Sequence, residues 1–189
     1  MKFNETKMEG VYLITLDKYE DERGFFARTY DSKIFDIFFE ERMSFIIKQT
    51  SISYNKKKGT LRGIHFQDIP YREEKMVQCV KGSIYDILID LRQTSKTYNK
   101  WMSFNLSDKN NSILYIPKKV AHGFQTLEDD TIVLYYMNQE YHPECAKTIR
   151  YDDERYGLVW KLPITSISQK DLYSDSRNVD DEICNQNFG

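Results

Sequence analysis

Residues 83–91 read SIYDILIDL. Alternation puts Tyr85, Ile87, Ile89 and Leu91 on one face of an extended chain, and Ile84, Asp86, Leu88 and Asp90 on the other. That period of two is the signature of a β-strand. Its two carboxylates predict that the second face lines something wetter than a core. Working outward, further strand candidates are VYLITL (11–16), FFARTY (25–30), TLRGIHFQ (60–67), KMVQCVKG (75–82), WMSFNLS (101–107), SILYIPK (112–118) and TIVLYYMN (131–138). Turn-forming stretches such as KKKG (56–59), DIP (68–70), SDKNN (107–111) and EDD (128–130) separate them. Many short strands at regular spacing predict a mainly β chain, a jelly-roll sandwich or barrel with a few short peripheral helices. One such helix is SKIFDIFFEE (32–41), with Ser32 as cap and Ile34, Phe35 and Phe38 at helical spacing. Beyond about residue 150 the chain turns polar, and the tail from about 176, SRNVDDEICNQNFG, is expected to be poorly ordered.

At 189 residues, 40% hydrophobic and 30% charged, the chain reads as a single soluble domain, 1–189. No apolar run approaches the ~20 residues that cross a bilayer. The opening MKFNETKMEGVYLITL lacks the apolar core and cleavage site of a signal peptide, so a cytoplasmic location and no membrane partner are expected. A net charge of -2 argues against a nucleic-acid partner while leaving room for a local cationic pocket. The three cysteines, Cys79, Cys145 and Cys184, are far apart and suggest neither a metal-binding pair nor a disulfide framework. Cys79, within MVQCVKG, reads as a small buried hydrophobe.

The chain has three histidines. In TLRGIHFQ, alternation groups Leu61, Gly63 and His65 on one face, with Arg62, Ile64 and Phe66 on the other. From the residues alone, a hydrogen-bonded structural histidine is the simpler reading of His65, with a catalytic base and a metal ligand as the alternatives. His122, in YIPKKVAHGFQTL, follows a strand and a turn, and His142, in EYHPE, reads as a surface loop residue. No HxH occurs, and the positions two before and two after His65 are Gly63 and Gln67, so no metal is expected. Among the cations Arg23, Arg62 and Lys75, Arg62 stands out because it is held within a strand, and a guanidinium suits phosphate oxygens. Tyr135 shares a face with Val133 and Met137, at a core or a rim, and Asp171, in ISQKDLY, reads as a polar loop residue.

Taken together, DERGFFARTY, QTSISYNKKKGTLRGIHFQ, EEKMVQCVKGSIYDILIDLRQTSKTYNKW, LYIPKKVAHGFQTL and LYYMNQEYHPE with IRYDDERYGLVW resemble the dTDP-4-dehydrorhamnose 3,5-epimerase family, cupin-type enzymes of nucleotide-sugar metabolism. The resemblance covers about residues 11–175, and LRGxHxQ together with IPxxxAHGF is its most specific part. It implies an isomerase without metal or cofactor, serving deoxysugar biosynthesis for surface polysaccharide. The substrate would be a nucleoside-diphosphate 4-keto-6-deoxy sugar, by family default a dTDP sugar. Its C4 ketone acidifies C3 and C5, a base forms an enolate, and a proton returns to the opposite face. The resemblance makes His65 the base, Asp171 the carboxylate that orients it, Lys75 the cation near the C4 oxygen and Tyr135 the acid across the ring. It assigns Arg23, Gln49, Arg62 and His122 to nucleotide, diphosphate or sugar, and it implies a homodimer that exchanges N-terminal strands. Two positions depart from the family pattern: Arg28 stands where a glutamate follows GFF, and Ser51 where an asparagine follows Gln49 by two. Arg28 belongs to the substrate-binding set and leaves the nucleotide base open. A 3,4-ketoisomerase on the same barrel and a non-catalytic sugar-nucleotide binding module are the alternatives. The joint presence of Tyr135, Lys75 and Asp171 favours epimerisation over the first, and the His65–Asp171 dyad over the second.

Overall fold

The computed structural model describes residues 1–39 and 45–174. Along the chain come β1 (Lys2–Glu5), β2 (Tyr12–Thr15), β3 (Lys18–Asp21), β4 (Gly24–Ala27), α1 (Ser32–Phe38), β5 (Gln49–Asn55), β6 (Leu61–Gln67) and β7 (Lys75–Lys81). There follow β8 (Ser83–Asp90), β9 (Trp101–Ser107), β10 (Ile113–Ile116), β11 (Val120–Thr126), β12 (Thr131–Met137), β13 (Ala146–Thr148) and α2 (Gln169–Leu172). A six-stranded sheet runs β1-β2-β10-β7-β12-β5 and a five-stranded sheet β13-β6-β11-β8-β9, while β3 and β4 form a separate hairpin. The two sheets face each other as a sandwich with open edges, in place of a closed barrel. No helix among the described residues is long and apolar enough to cross a membrane.

Alternation sorts the apolar side chains into three layers. Val77, Cys79 and Val133 from one sheet meet Ile84, Leu88 and Phe124 from the other in the inter-sheet core. The second face of β7, β10 and β12 packs Met76, Ile113, Tyr115 and Tyr136 beneath Phe35 of α1. The outer face of the five-stranded sheet, with Tyr85, Ile87 and Ile89, is covered by Leu158 and Trp160 from the C-terminal part. Each fully buried large side chain contributes roughly 1.5–3 kcal/mol of transfer free energy. Segment 83–91 thus has two buried faces, and this corrects the wet-face expectation: Asp86 and Asp90 are both 0% exposed. Partners make that burial tolerable. Asp90 accepts hydrogen bonds from Arg92 Nε (2.8 Å), Ser95 Oγ (2.6 Å) and Thr97 Oγ1 (2.6 Å). Asp86 is paired to a histidine, described below.

The predicted strands all appear, trimmed by a few residues at their ends. Alternation misses β1, β3, β5, β11 and β13. β11 is buried at every position, so it shows no period, and β5 is an edge strand rich in Ser and Thr. The α1 cap is Asp31, whose side chain accepts from Ile34 N, and not Ser32. A carboxylate one residue earlier reaches the free first-turn amides and suits the positive end of the helix dipole. Cys79 is a free buried thiol that burial pushes up to about 12. Cys145 is disulfide-bonded, a pairing that its distance from the other cysteines along the chain did not reveal. The tail from about residue 176 and the last two positions of the 32–41 helix lie outside the described residues.

Candidate active site

Between the sheets opens a cavity of about 640 Å³ that includes His65, His122, Arg62, Lys75, Tyr135 and Asp171 in its wall. Its geometry starts at the β6–β11 pairing. His65 is the direct cross-strand partner of His122, and the next pair is Arg62 with Phe124, so the register slips by one residue in between. The slip falls at Gly63, with φ +113, where an added Cβ would sit 2.6 Å from Gly123 Cα. Only a residue without a side chain tolerates both the backbone angle and this approach. The bulge also breaks the alternation read from the sequence, so Arg62 and His65, expected on opposite faces, both line the cavity. Arg62 Nε donates to Asn55 Oδ1 at 2.7 Å, which fixes the guanidinium.

Asp171 arrives from far along the chain. Ser166 runs beside Thr60 in a parallel bridge, Ser168 caps α2, and Asp171 sits in that single turn. His65 Nε2 lies 2.6 Å from Asp171 Oδ1, and Gly63 N donates to Oδ2 at 3.4 Å. Burial alone would raise the Asp171 carboxyl, but the hydrogen bonds and charge of His65, with Ser168 and Gly63 N, hold it below its ordinary value. Asp171 is therefore an anion at neutral pH, able to fix the imidazole tautomer and to stabilise an imidazolium.

A second pair lies behind the first. His122 Nε2 lies 2.8 Å from Asp86 Oδ2, both side chains being buried, and Asp86 Oδ1 has no hydrogen-bond partner among the described residues. Burial raises the Asp86 carboxyl, and attraction from His122 and Lys75 offsets part of that rise. Tyr135 stands edge-on to His122, with ring centroids 6.1 Å apart. Burial, followed by the Asp86 charge, drives its phenol well above the ordinary value, with Arg62 opposing. Tyr135 thus carries its proton throughout the neutral range, and Lys75 sits 2.5 Å from Glu73 Oε1 in the same wall.

Seven sequence-predicted residues, Gln49, Arg62, His65, Lys75, His122, Tyr135 and Asp171, line one cavity. Arg23 and Arg28 do not. Arg23 is at the turn of the β3–β4 hairpin, ion-paired to Asp21, and Arg28 Nη1 lies 2.8 Å from Asp31 Oδ2. His142 is no free surface residue: its ring stacks on Tyr71 with centroids 3.4 Å apart.

The family model for dTDP-4-dehydrorhamnose 3,5-epimerase matches residues 5–177. The chain belongs to that family. It is 38% identical over 176 residues to the dTDP-4-dehydrorhamnose 3,5-epimerase of Methanothermobacter thermautotrophicus, covering 90% of this chain and 91% of that protein. The crystal structure of the Bacillus anthracis enzyme with TDP and PPi bound superimposes with TM-score 0.87 and 32% identity, over 92% of this chain and 98% of that one. That of the Legionella pneumophila epimerase in complex with dTDP-4-keto-L-rhamnose gives TM-score 0.83 and 30% identity, over 90% and 89%. As a member of the dTDP-4-dehydrorhamnose 3,5-epimerase family, the chain is an isomerase with a cupin-like jelly-roll fold.

Sequence reasoning passed over three features of this family member's site. Asp86 was visible on the inner face of its strand, but only the β8–β11 register, with His122 opposite Leu88, brings it beside His122. Glu73 is visible in REEK, two positions before Lys75, the spacing that shares a face in extended chain. Asn55, which fixes Arg62, lies on the strand that alternation missed.

Proposed function

We propose that the chain epimerises C3 and C5 of a nucleoside-diphosphate 4-keto-6-deoxy sugar, with dTDP as the default nucleotide. The observation that carries this reading is the meeting of a histidine–carboxylate pair, a lysine and a strongly protonated tyrosine in one cavity. His65 removes the proton next to the C4 ketone, and Asp171 holds its imidazole and balances the new charge. Lys75 offers its ammonium to the enolate oxygen, where a fixed cation is worth most in a water-poor site. Tyr135 donates its phenolic proton to the opposite face, and solvent reprotonates the phenolate and takes the proton from His65. Each inversion therefore installs one solvent hydrogen. Arg62 and Gln49 hold the diphosphate and nucleotide end, and His122, backed by Asp86, binds the sugar.

The same proposal includes a homodimer in which the β3–β4 hairpin serves the partner's cavity. Two observations support it. The hairpin belongs to neither large sheet and exposes Tyr19 (71%), Phe25 (50%) and Phe26 (67%). The edge strand β5 lines the cavity with Gln49, Ser51, Ile52 and Ser53 and leaves Ile52 71% exposed. An edge strand with an open side and a hairpin outside both large sheets are the two elements that strand exchange requires. Such an exchange would bring Arg23 and Arg28 to the nucleotide.

The direct test is turnover of dTDP-4-keto-6-deoxyglucose, followed by NMR. Formation of a sugar inverted at C3 and C5 supports the reading. A 3-keto product would favour a ketoisomerase, and tight dTDP binding without turnover a binding module.

A further inference from the structure

The cavity holds a carboxylate that the proposed chemistry leaves unused. Glu73 and Lys75 are two residues apart where the 68–74 loop enters β7, and both face the cavity. Glu74, between them, turns the other way. It is buried on the outer face, where Tyr115 Oη (3.1 Å) and Asn138 Nδ2 (3.0 Å) donate to its carboxylate. Its backbone is tied as well, since Glu74 N donates to Asn138 Oδ1 at 2.7 Å and Asn138 N to Glu74 O at 3.1 Å. The chain is thus tied down directly after Glu73, and Glu73 Oε1 meets Lys75 Nζ at 2.5 Å with both side chains largely buried.

A fixed anion in a cavity that admits a diphosphate sugar opposes binding through like-charge repulsion. It must act on something else, and its contact is Lys75. The lysine ammonium is a point charge on a flexible four-carbon stem. It has two competing attractions, the Asp86 carboxylate, which feels its charge, and the substrate diphosphate. We propose that Glu73 is a positioning residue for epimerisation, anchoring the Lys75 ammonium at the cavity wall where it meets the ketone oxygen and keeping it from both competitors. The proposal rests on the epimerase reading above and on the role given there to Lys75.

The test is a set of variants, Glu73→Gln, Glu73→Asp, Lys75→Met and Glu73→Gln with Lys75→Met, compared by kcat, KM, dTDP affinity and thermal melts. Glu73→Gln keeps the shape and loses the charge. The expected result is a fall in kcat of roughly tenfold to a hundredfold, with KM and dTDP affinity unchanged or improved. Glu73→Asp, which keeps the charge, recovers part of kcat. In the Lys75→Met background, Glu73→Gln changes kcat by less than about twofold, because the pair is already broken. Wild-type kcat in Glu73→Gln, or an equal loss in both backgrounds, overturns the proposal, as does a Gln variant that outperforms Asp. An active wild type with any of these results sinks this proposal alone. A wild type without activity on any 4-keto sugar nucleotide sinks the epimerase reading beneath it.

Discussion

His65 on β6 and His122 on β11 are direct cross-strand partners, and each ring nitrogen meets a different carboxylate, Asp171 at 2.6 Å and Asp86 at 2.8 Å. The environments of those carboxylates differ in sign. Hydrogen bonds hold Asp171 below its ordinary value despite its burial, whereas burial raises Asp86. Asp171→Asn should therefore reduce kcat by roughly a hundredfold to ten-thousandfold, since the amide neither balances an imidazolium nor enforces its tautomer. Asp86→Asn should act mainly on KM. Steady-state kinetics with both variants checks the division of labour, and a larger kcat effect at Asp86 would reverse it.

Tyr135→Phe should separate the two proton transfers. Removal by His65 needs no phenol, so exchange at the acidic carbons should continue while net inversion falls by roughly a hundredfold or more. Deuterium content and product configuration, read by NMR on one sample, give both numbers. Equal loss of exchange and inversion would make Tyr135 part of the deprotonation step.

Acid stability has a defined sign. Burial raises the Asp90 carboxyl, but the hydrogen bonds of Arg92, Ser95 and Thr97 outweigh it and bring it to about 2. The unfolded chain titrates this group near about 3.9, so its contribution is complete above about pH 5 and is lost as pH falls toward 2. A shift of this size corresponds to about 2–3 kcal/mol. Asp171 works in the same direction, while Asp86 and Glu74, raised by burial, work in the opposite one. The difference between wild type and Asp90→Asn isolates the first of these. Melting temperatures should differ by several degrees at pH 7 and converge as pH approaches 2, and parallel curves would contradict the assignment.

The strand-exchanged dimer predicts complementation between inactive variants. His65→Asn disables the cavity of its own chain, and Arg23→Glu disables the hairpin that the partner receives. Mixed, unfolded and refolded together, the two should regain about a quarter of wild-type activity per dimer site. Refolding each alone should give none. Absence of recovery in a mixture that forms heterodimers would place Arg23 outside the site.

How much was legible beforehand can be traced to particular residues. The 83–91 segment, strictly alternating, announced the sheet, and its faces were assigned as they occur: Tyr85, Ile87 and Ile89 on one side, Ile84 and Leu88 on the other. What it did not announce was that both faces are covered, because burial depends on the second sheet and the C-terminal wrap rather than on local pattern. β11 was invisible for the same reason, since a strand buried throughout has no period. Of the site, His65, Lys75, Tyr135 and Asp171 were named through a resemblance, and their composition and spacing alone left each with an ordinary structural reading. The Asp86–His122 pair depends on register between strands, which no single segment encodes.

The central claim is that His65 takes a proton from carbon beside a ketone. The most direct measurement is deuterium incorporation from D2O into dTDP-4-keto-6-deoxyglucose, comparing wild type with His65→Asn and melting both. Wild type should install one deuterium at C3 and one at C5. A His65→Asn variant that still folds and binds dTDP should install none above background. Undiminished labelling by that folded variant would rule out His65 as the base.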